Sequence, residues 1–179
     1  MKKILCVFLA LFALALTGCG KNDTAVETTG DTSDHALPEN VEIVHYYNIT
    51  PDKEVWTEFL ENDGSLTFFH NSTDGVFFNI GKNDLPAENA DISAEEIGVI
   101  IKEQCEELEL DIISEDTVTI GGVTWSGVTA DIGDGEIMQM LCTARNGVQY
   151  ALNFFSPVGS LEAASAEMKT ALDTFEFVD

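Results

Sequence analysis

The chain is poorest in positive charge. Eight Lys and Arg stand against 32 Asp and Glu in 179 residues, a formal charge of −24. Two of the eight are Lys2 and Lys3, so everything after the first apolar run is still more acidic. Such a surface repels phosphate backbones and anionic headgroups, which disfavours nucleic acid as a partner. It permits cations, cationic peptides and basic protein surfaces, and it also serves simply to keep an exported domain soluble. Histidine is scarce too: His35, His45 and His70 have no ligand-spaced neighbours, which argues against zinc and against a Ser–His–Asp arrangement. No glycine-rich loop ends in Gly-Lys-Ser/Thr, so no phosphate cradle of that type is expected. Ser126 precedes Gly127, but Thr124 stands where a nucleophile elbow needs glycine. Beyond residue 18 there is no apolar run long enough to span a bilayer, which takes about 20 residues.

What is present begins at the N-terminus. Lys2 and Lys3 precede an apolar run from Ile4 to Leu16, of signal-peptide length. The run closes on Leu16-Thr17-Gly18-Cys19: a large aliphatic, two small residues and a cysteine. Small residues give a peptidase access to the backbone, and the Cys19 thiol is the nucleophile that takes up diacylglycerol. This pattern resembles the lipobox of bacterial lipoproteins. It predicts a signal peptide over 1–18, lipidation at Cys19, and a protein held on the extracytoplasmic face of the cell membrane. Each buried CH₂ contributes about 0.8 kcal/mol, so two acyl chains anchor stably where one does not. Residues 19–40 carry Thr, Asp, Gly, Asn and Ser with almost no large apolar side chain, and read as a flexible tether.

From Val41 to Asp179 the pattern is that of one α+β domain. Val41–Tyr47 predicts a first strand, and Val55–Leu60 suits either a strand or a helical turn. Leu66–Phe69 and Val76–Ile80 alternate as strands between Gly-containing turns, so the first half reads as a β-meander. Ser93-Ala94-Glu95-Glu96 is a capping box opening a helix, with Ile97, Ile100, Ile101, Cys105 and Leu108 as its apolar stripe. Strands follow at Thr117–Ile120, Val123–Ala130, Glu136–Thr143 and Val148–Phe155, with Asn146-Gly147 a strong hairpin turn. Ser160 is expected to cap a last helix that turns Leu161, Ala164, Met168, Leu172 and Phe175 to one face. The expected architecture is an antiparallel β-sheet packed by two α-helices.

Three stretches carry a family resemblance: Ile120-Gly121-Gly122, Gly147–Phe154, and Ala171-Leu172-Asp173-Thr174-Phe175-Glu176-Phe177. Together they resemble the Mog1/PsbP-like fold, with its Gly-Gly turn, long hairpin and C-terminal helix closing on aromatics. The family's members range from a Ran-binding protein to photosystem II extrinsic subunits and bacterial lipoproteins. No functional motif of the family maps onto these residues, so the resemblance implies fold alone.

Few residues invite chemistry. With Cys6 in the signal and Cys19 acylated, Cys105 and Cys142 remain, either as one disulfide or as two small buried hydrophobes. Asp131, Asp134 and Glu136 around Gly133 and Gly135 form the best candidate cation cluster, although the spacing is not that of a calcium loop. A tight acidic hairpin turn is the better reading of them. Trp125 and the doubled phenylalanines 68–69, 77–78 and 154–155 suit a core, but doubling puts one ring on each sheet face, and uncovered outward rings would mark a contact patch. The sequence therefore points to a non-enzymatic, cofactor-free binding or accessory module of the envelope. It acts on a protein or peptide through the sheet or its edge. A small-molecule or calcium receptor serving a transporter is the alternative, against which the small size of the domain counts; an envelope hydrolase finds no constellation.

Overall fold

The turn-forming residues set the order of the strands. A computed structural model describes residues 46–61 and 66–178. Nine strands alternate with two α-helices: β1 (Tyr47–Asn48), β2 (Trp56–Glu61), β3 (Leu66–Asn71), β4 (Phe77–Asp84), α1 (Ala94–Glu107), β5 (Asp111–Ile120), β6 (Val123–Gly133), β7 (Glu136–Arg145), β8 (Val148–Pro157), α2 (Leu161–Leu172) and β9 (Glu176–Phe177). Three two-residue turns have both central residues at positive φ: Gly121-Gly122, Asp134-Gly135 and Asn146-Gly147. That is the primed geometry whose twist matches the strands it joins, and it folds β5 to β8 into one antiparallel meander.

Strands β2 to β8 form a single seven-stranded antiparallel sheet in the order β2-β3-β4-β8-β7-β6-β5. The two meanders meet only where β4 pairs with β8, from Phe77↔Phe155 to Asp84↔Val148. The chain crosses from β4 to the far edge strand β5 through α1. A Cβ on Gly98 would come within 2.9 Å of the Ser126 Cβ, so α1 lies directly on the sheet there. Gly127 on the same strand allows an even closer approach, since a Cβ there would stand 1.8 Å from the Met140 carbonyl oxygen.

The two helices cover opposite faces. Trp125, Leu141, Leu152, Phe154, Phe78 and Ile80 point to the face where α2 adds Ala164, Met168, Ala171 and Leu172. Ser126 alternates with Trp125 and so points to the other face, beneath α1. At one end of the α2 face, β1 pairs with β9, Tyr47 opposite Phe177. Phe175 packs edge-on to Trp125 at 5.8 Å and would meet any side chain on Gly121 at 2.8 Å. Phe177 meets Tyr150 edge-on at 4.9 Å. The three stretches that carry the fold resemblance thus converge in space.

Several expectations are sharpened or corrected. The first strand covers only Tyr47–Asn48 within the described residues and pairs with the C-terminal strand, not with the main sheet; residues 41–45 lie outside them. Trp56–Glu61 is a strand. β5 begins six residues before Thr117, because the acidic Asp111–Asp116 stretch sits on an edge that solvent can reach. Within the stripe of α1, Ile97, Ile101 and Cys105 are buried, whereas Ile100 and Leu108 are exposed. The capping box is complete: Glu96 N–H donates to Ser93 Oγ at 3.1 Å, and Ser93 N–H donates to the Glu96 carboxylate at 2.9 Å. The Ser93 N–H, and the Ser93 hydroxyl at 2.9 Å, donate to the Glu96 carboxylate and hold that carboxyl below its ordinary value. Ser160 starts α2 without a side-chain cap, since its backbone is already helical.

Helix α1 ends in a Schellman motif. Leu110 N–H donates to the Cys105 carbonyl and Glu109 N–H to that of Glu106, both at 3.0 Å. The left-handed position of that motif falls on Glu109, at φ 57°, where glycine is usual. A glutamate there is strained, and its charge sits at the negative end of the helix dipole. Glu109→Gly should therefore raise the unfolding free energy by about 1 kcal/mol. Denaturant melts of the two proteins check this, and a variant less stable than the parent contradicts it.

Candidate binding surface

The residues singled out for chemistry are mostly engaged in the fold. Asp131 turns its carboxylate back onto the chain and accepts the Gly133 N–H at 2.7 Å, closing a bulge before the Asp134-Gly135 turn. Among the described residues no group of three or more acidic, histidine or cysteine side chains is placed to hold a metal ion. Cys105 and Cys142 both sit on the α1 side of the sheet, but they are free, buried thiols and form no disulfide. Burial pushes the Cys142 thiol up to about 12, and burial raises Cys105 as well, with the Glu106 charge adding to it. His70 stacks on Phe77 at 5.6 Å, and Phe77 on Phe155 at 4.7 Å. Phe155 is buried and Phe77 half-buried, so the expected outward aromatic patch is not a bare one. Cys19, His35 and His45 lie outside the described residues.

Asp116 is a charged side chain on the inner face of an edge strand. Its carboxylate accepts from Thr129 Oγ1, from Ser114 Oγ at 2.9 Å and from Gln139 Nε2 at 3.0 Å. An inward charge of this kind, satisfied at home, discourages uncontrolled pairing of the edge. The bulge at Ile113, between Ile112 and Ser114, does the same at the start of β5.

The rest of that edge is open. Asp111, Ile113, Glu115, Thr117, Val118 and Thr119 are all exposed. On α1, Val99, Ile100, Glu103, Glu106 and Glu107 are exposed. Lys102 is the one cation on α1 and β5, and it spans the two by pairing with Glu115 at 2.5 Å. That bond, with the neighbouring Glu115 and Glu106 charges, raises the Lys102 ammonium above its usual value. The sequence places Ile100 on the apolar stripe of a helix and Thr117–Ile120 in a strand. It gave no sign that helix and strand place them on one rim, because that depends on the crossover from β4.

No family model and no curated protein matches the chain. Among solved structures, the solution structure of cyanobacterial PsbP (CyanoP) from Synechocystis sp. PCC 6803 aligns with 80% of this chain and 99% of its own, at TM-score 0.50 and 10% identity. The fold is PsbP-like. A crystal structure from Bacteroides thetaiotaomicron VPI-5482 aligns with 77% of this chain at TM-score 0.47 and 17% identity; the chain spans about half the length of that protein, 48%. At 10% identity the PsbP-like likeness is one of architecture, and residue roles do not transfer with it.

The buried thiols give a pH test. A thiol whose folded pKa lies above its unfolded value favours the fold below the unfolded pKa, near 9.0 for cysteine, and loses that contribution as pH climbs toward about 12. Native protein should therefore resist iodoacetamide at pH 8, label at Cys105 and Cys142 only on unfolding, and lose stability as pH rises above 9. Rapid labelling of the native protein at either residue would contradict the burial described.

Proposed function

We propose that the chain is a lipid-anchored, extracytoplasmic lipoprotein whose domain works as a non-enzymatic binding or accessory module of the cell envelope. The observation that carries this reading is Leu16-Thr17-Gly18-Cys19 closing an apolar run that follows Lys2 and Lys3. Removal of 1–18 makes Cys19 the N-terminus, and two acyl chains there hold the protein at the membrane surface. The polar stretch that follows, of about 20 residues, reaches roughly 25 Å and keeps an acidic domain clear of acidic headgroups. Among the described residues no helix is long and apolar enough to cross a membrane.

The state of the reactive groups favours binding over catalysis. Both domain thiols are buried and held protonated. The Asp116 carboxylate is engaged by three side-chain donors, and the buried Ser126 hydroxyl lies against that of Thr117 at 3.3 Å. The partner under this reading is a protein or peptide of the envelope.

Fractionation of cells expressing Cys19→Ala tests the anchor. The wild-type chain should be recovered with membranes and released only by detergent. The variant should be soluble, mislocalised or retained as uncleaved precursor, with an unchanged thermal melt of its domain. A variant processed and membrane-bound like wild type would overturn the reading.

A further inference from the structure

We infer that the open edge of β5, with the acidic rim of α1 beside it, is a docking site for an extended cationic segment of a partner protein, which adds to the sheet as an eighth strand. The inference rests on the binding-module reading and names the surface and the chemistry of the partner.

The backbone of β5 is prepared for this. The turn at Gly121-Gly122 makes Ile120–Val123 a hydrogen-bonded pair, and in an antiparallel ladder such pairs alternate with pairs whose N–H and C=O point away. Counting back from Ile120 through a register with no shift as far as Ser114, the groups of Thr119, Thr117 and Glu115 point outward. No described strand lies beyond β5 to use them. The side chains of these three residues all project to the α1 side of the sheet, where Lys102 meets Glu115.

Charge selects the occupant. Glu103, Glu106, Glu107 and Glu109 are exposed on α1 and its cap and Asp111 and Glu115 on β5; Glu106 stands beside Lys102, which faces Glu115 and is the one cation on the two elements. Three of them crowd the last turn of α1 and its cap, where no basic residue is present and the helix dipole makes negative charge unfavourable. A strand carrying Lys or Arg on the α1 side relieves that repulsion. A second copy of this chain would instead bring an equally acidic strand to the same edge, and an anionic bilayer is repelled outright. On the opposite face Val118 is exposed, and Val99 is exposed on the α1 rim, so aliphatic side chains alternating with the cations complete the match. This is strand addition, in which backbone bonds supply affinity and alternate side chains supply choice.

The test uses the full chain in detergent micelles at physiological ionic strength. The probe is a short peptide of alternating lysine and valine, compared with the same peptide N-methylated at alternate amides. With its methyl groups on the lysine amides, the N-methylated peptide keeps every charge but loses the edge that would pair with β5 when its lysines face α1. The unmodified peptide should bind at least about tenfold more tightly. Thr117→Pro removes an outward donor that the ladder to β6 does not use, and it should abolish that difference. Glu115→Lys, which leaves the backbone intact, should weaken the unmodified peptide by about the same factor. Equal binding of the two peptides would reduce the effect to adsorption of a polycation on an acidic protein and overturn the inference, as would no binding of either. A membrane partner whose capture is unaffected by both substitutions would overturn the edge while leaving the binding-module reading in place.

Discussion

The structure depends on the pairing of β4 with β8. Strands β5 to β8 are joined by two-residue turns, but only this seam makes one sheet of them with β2 to β4 and so one core. Both faces of the seam reinforce it. On the α2 side Phe78 stacks on Phe69 at 4.5 Å and meets Trp56 edge-on at 4.8 Å. On the other side Phe77 lies on Phe155, and the buried Asn153 amide donates to Asn79 Oδ1 at 3.0 Å. An aromatic pair contributes about 0.5–1.5 kcal/mol beyond its buried area, while a buried amide left without its partner costs about 1–3 kcal/mol. The asparagine pair therefore fixes register: a slip of one residue would strand an amide in the core and turn every phenylalanine of the seam to the wrong face.

The seam also dictates the crossover. Because β4 is held in the middle of the sheet beside β8, the chain must cross β8, β7 and β6 to lay down β5 at the edge. Helix α1 makes that passage, and Gly98 and Gly127 permit its close approach and that of β7. The rim of carboxylates is thus a by-product of topology, two acidic segments of sequence placed side by side by the crossover.

Much of this was legible in the residues. Asn146-Gly147 and Gly121-Gly122 specify hairpins because only positive φ at both positions closes them, and Ser93 with Glu96 specifies a helix start because the two satisfy each other's donors. Alternation in Phe77-Phe78 and Phe154-Phe155 correctly separates two faces. What was not legible is non-local. Ile100 and Leu108 fit a helical stripe by spacing, but α1 beds on the sheet through a narrower set centred on Ile101 and Cys105. The first strand pairs with the last, which no local pattern encodes. The acidic turn at Asp131 has the composition of a cation loop, yet its carboxylate serves the backbone. The α1–β5 rim has no motif at all; it exists only once β4 has found β8.

The account assigns location to the N-terminal segment and contact to the folded domain, and the first assignment is the one on which the second depends. Mass spectrometry of the detergent-extracted mature protein tests it most directly. The account predicts a chain beginning at Cys19, with the tryptic fragment Cys19-Gly20-Lys21 carrying a diacylglyceryl group on its sulfur. A chain that begins anywhere else, or a Cys19 with a free thiol, would contradict it.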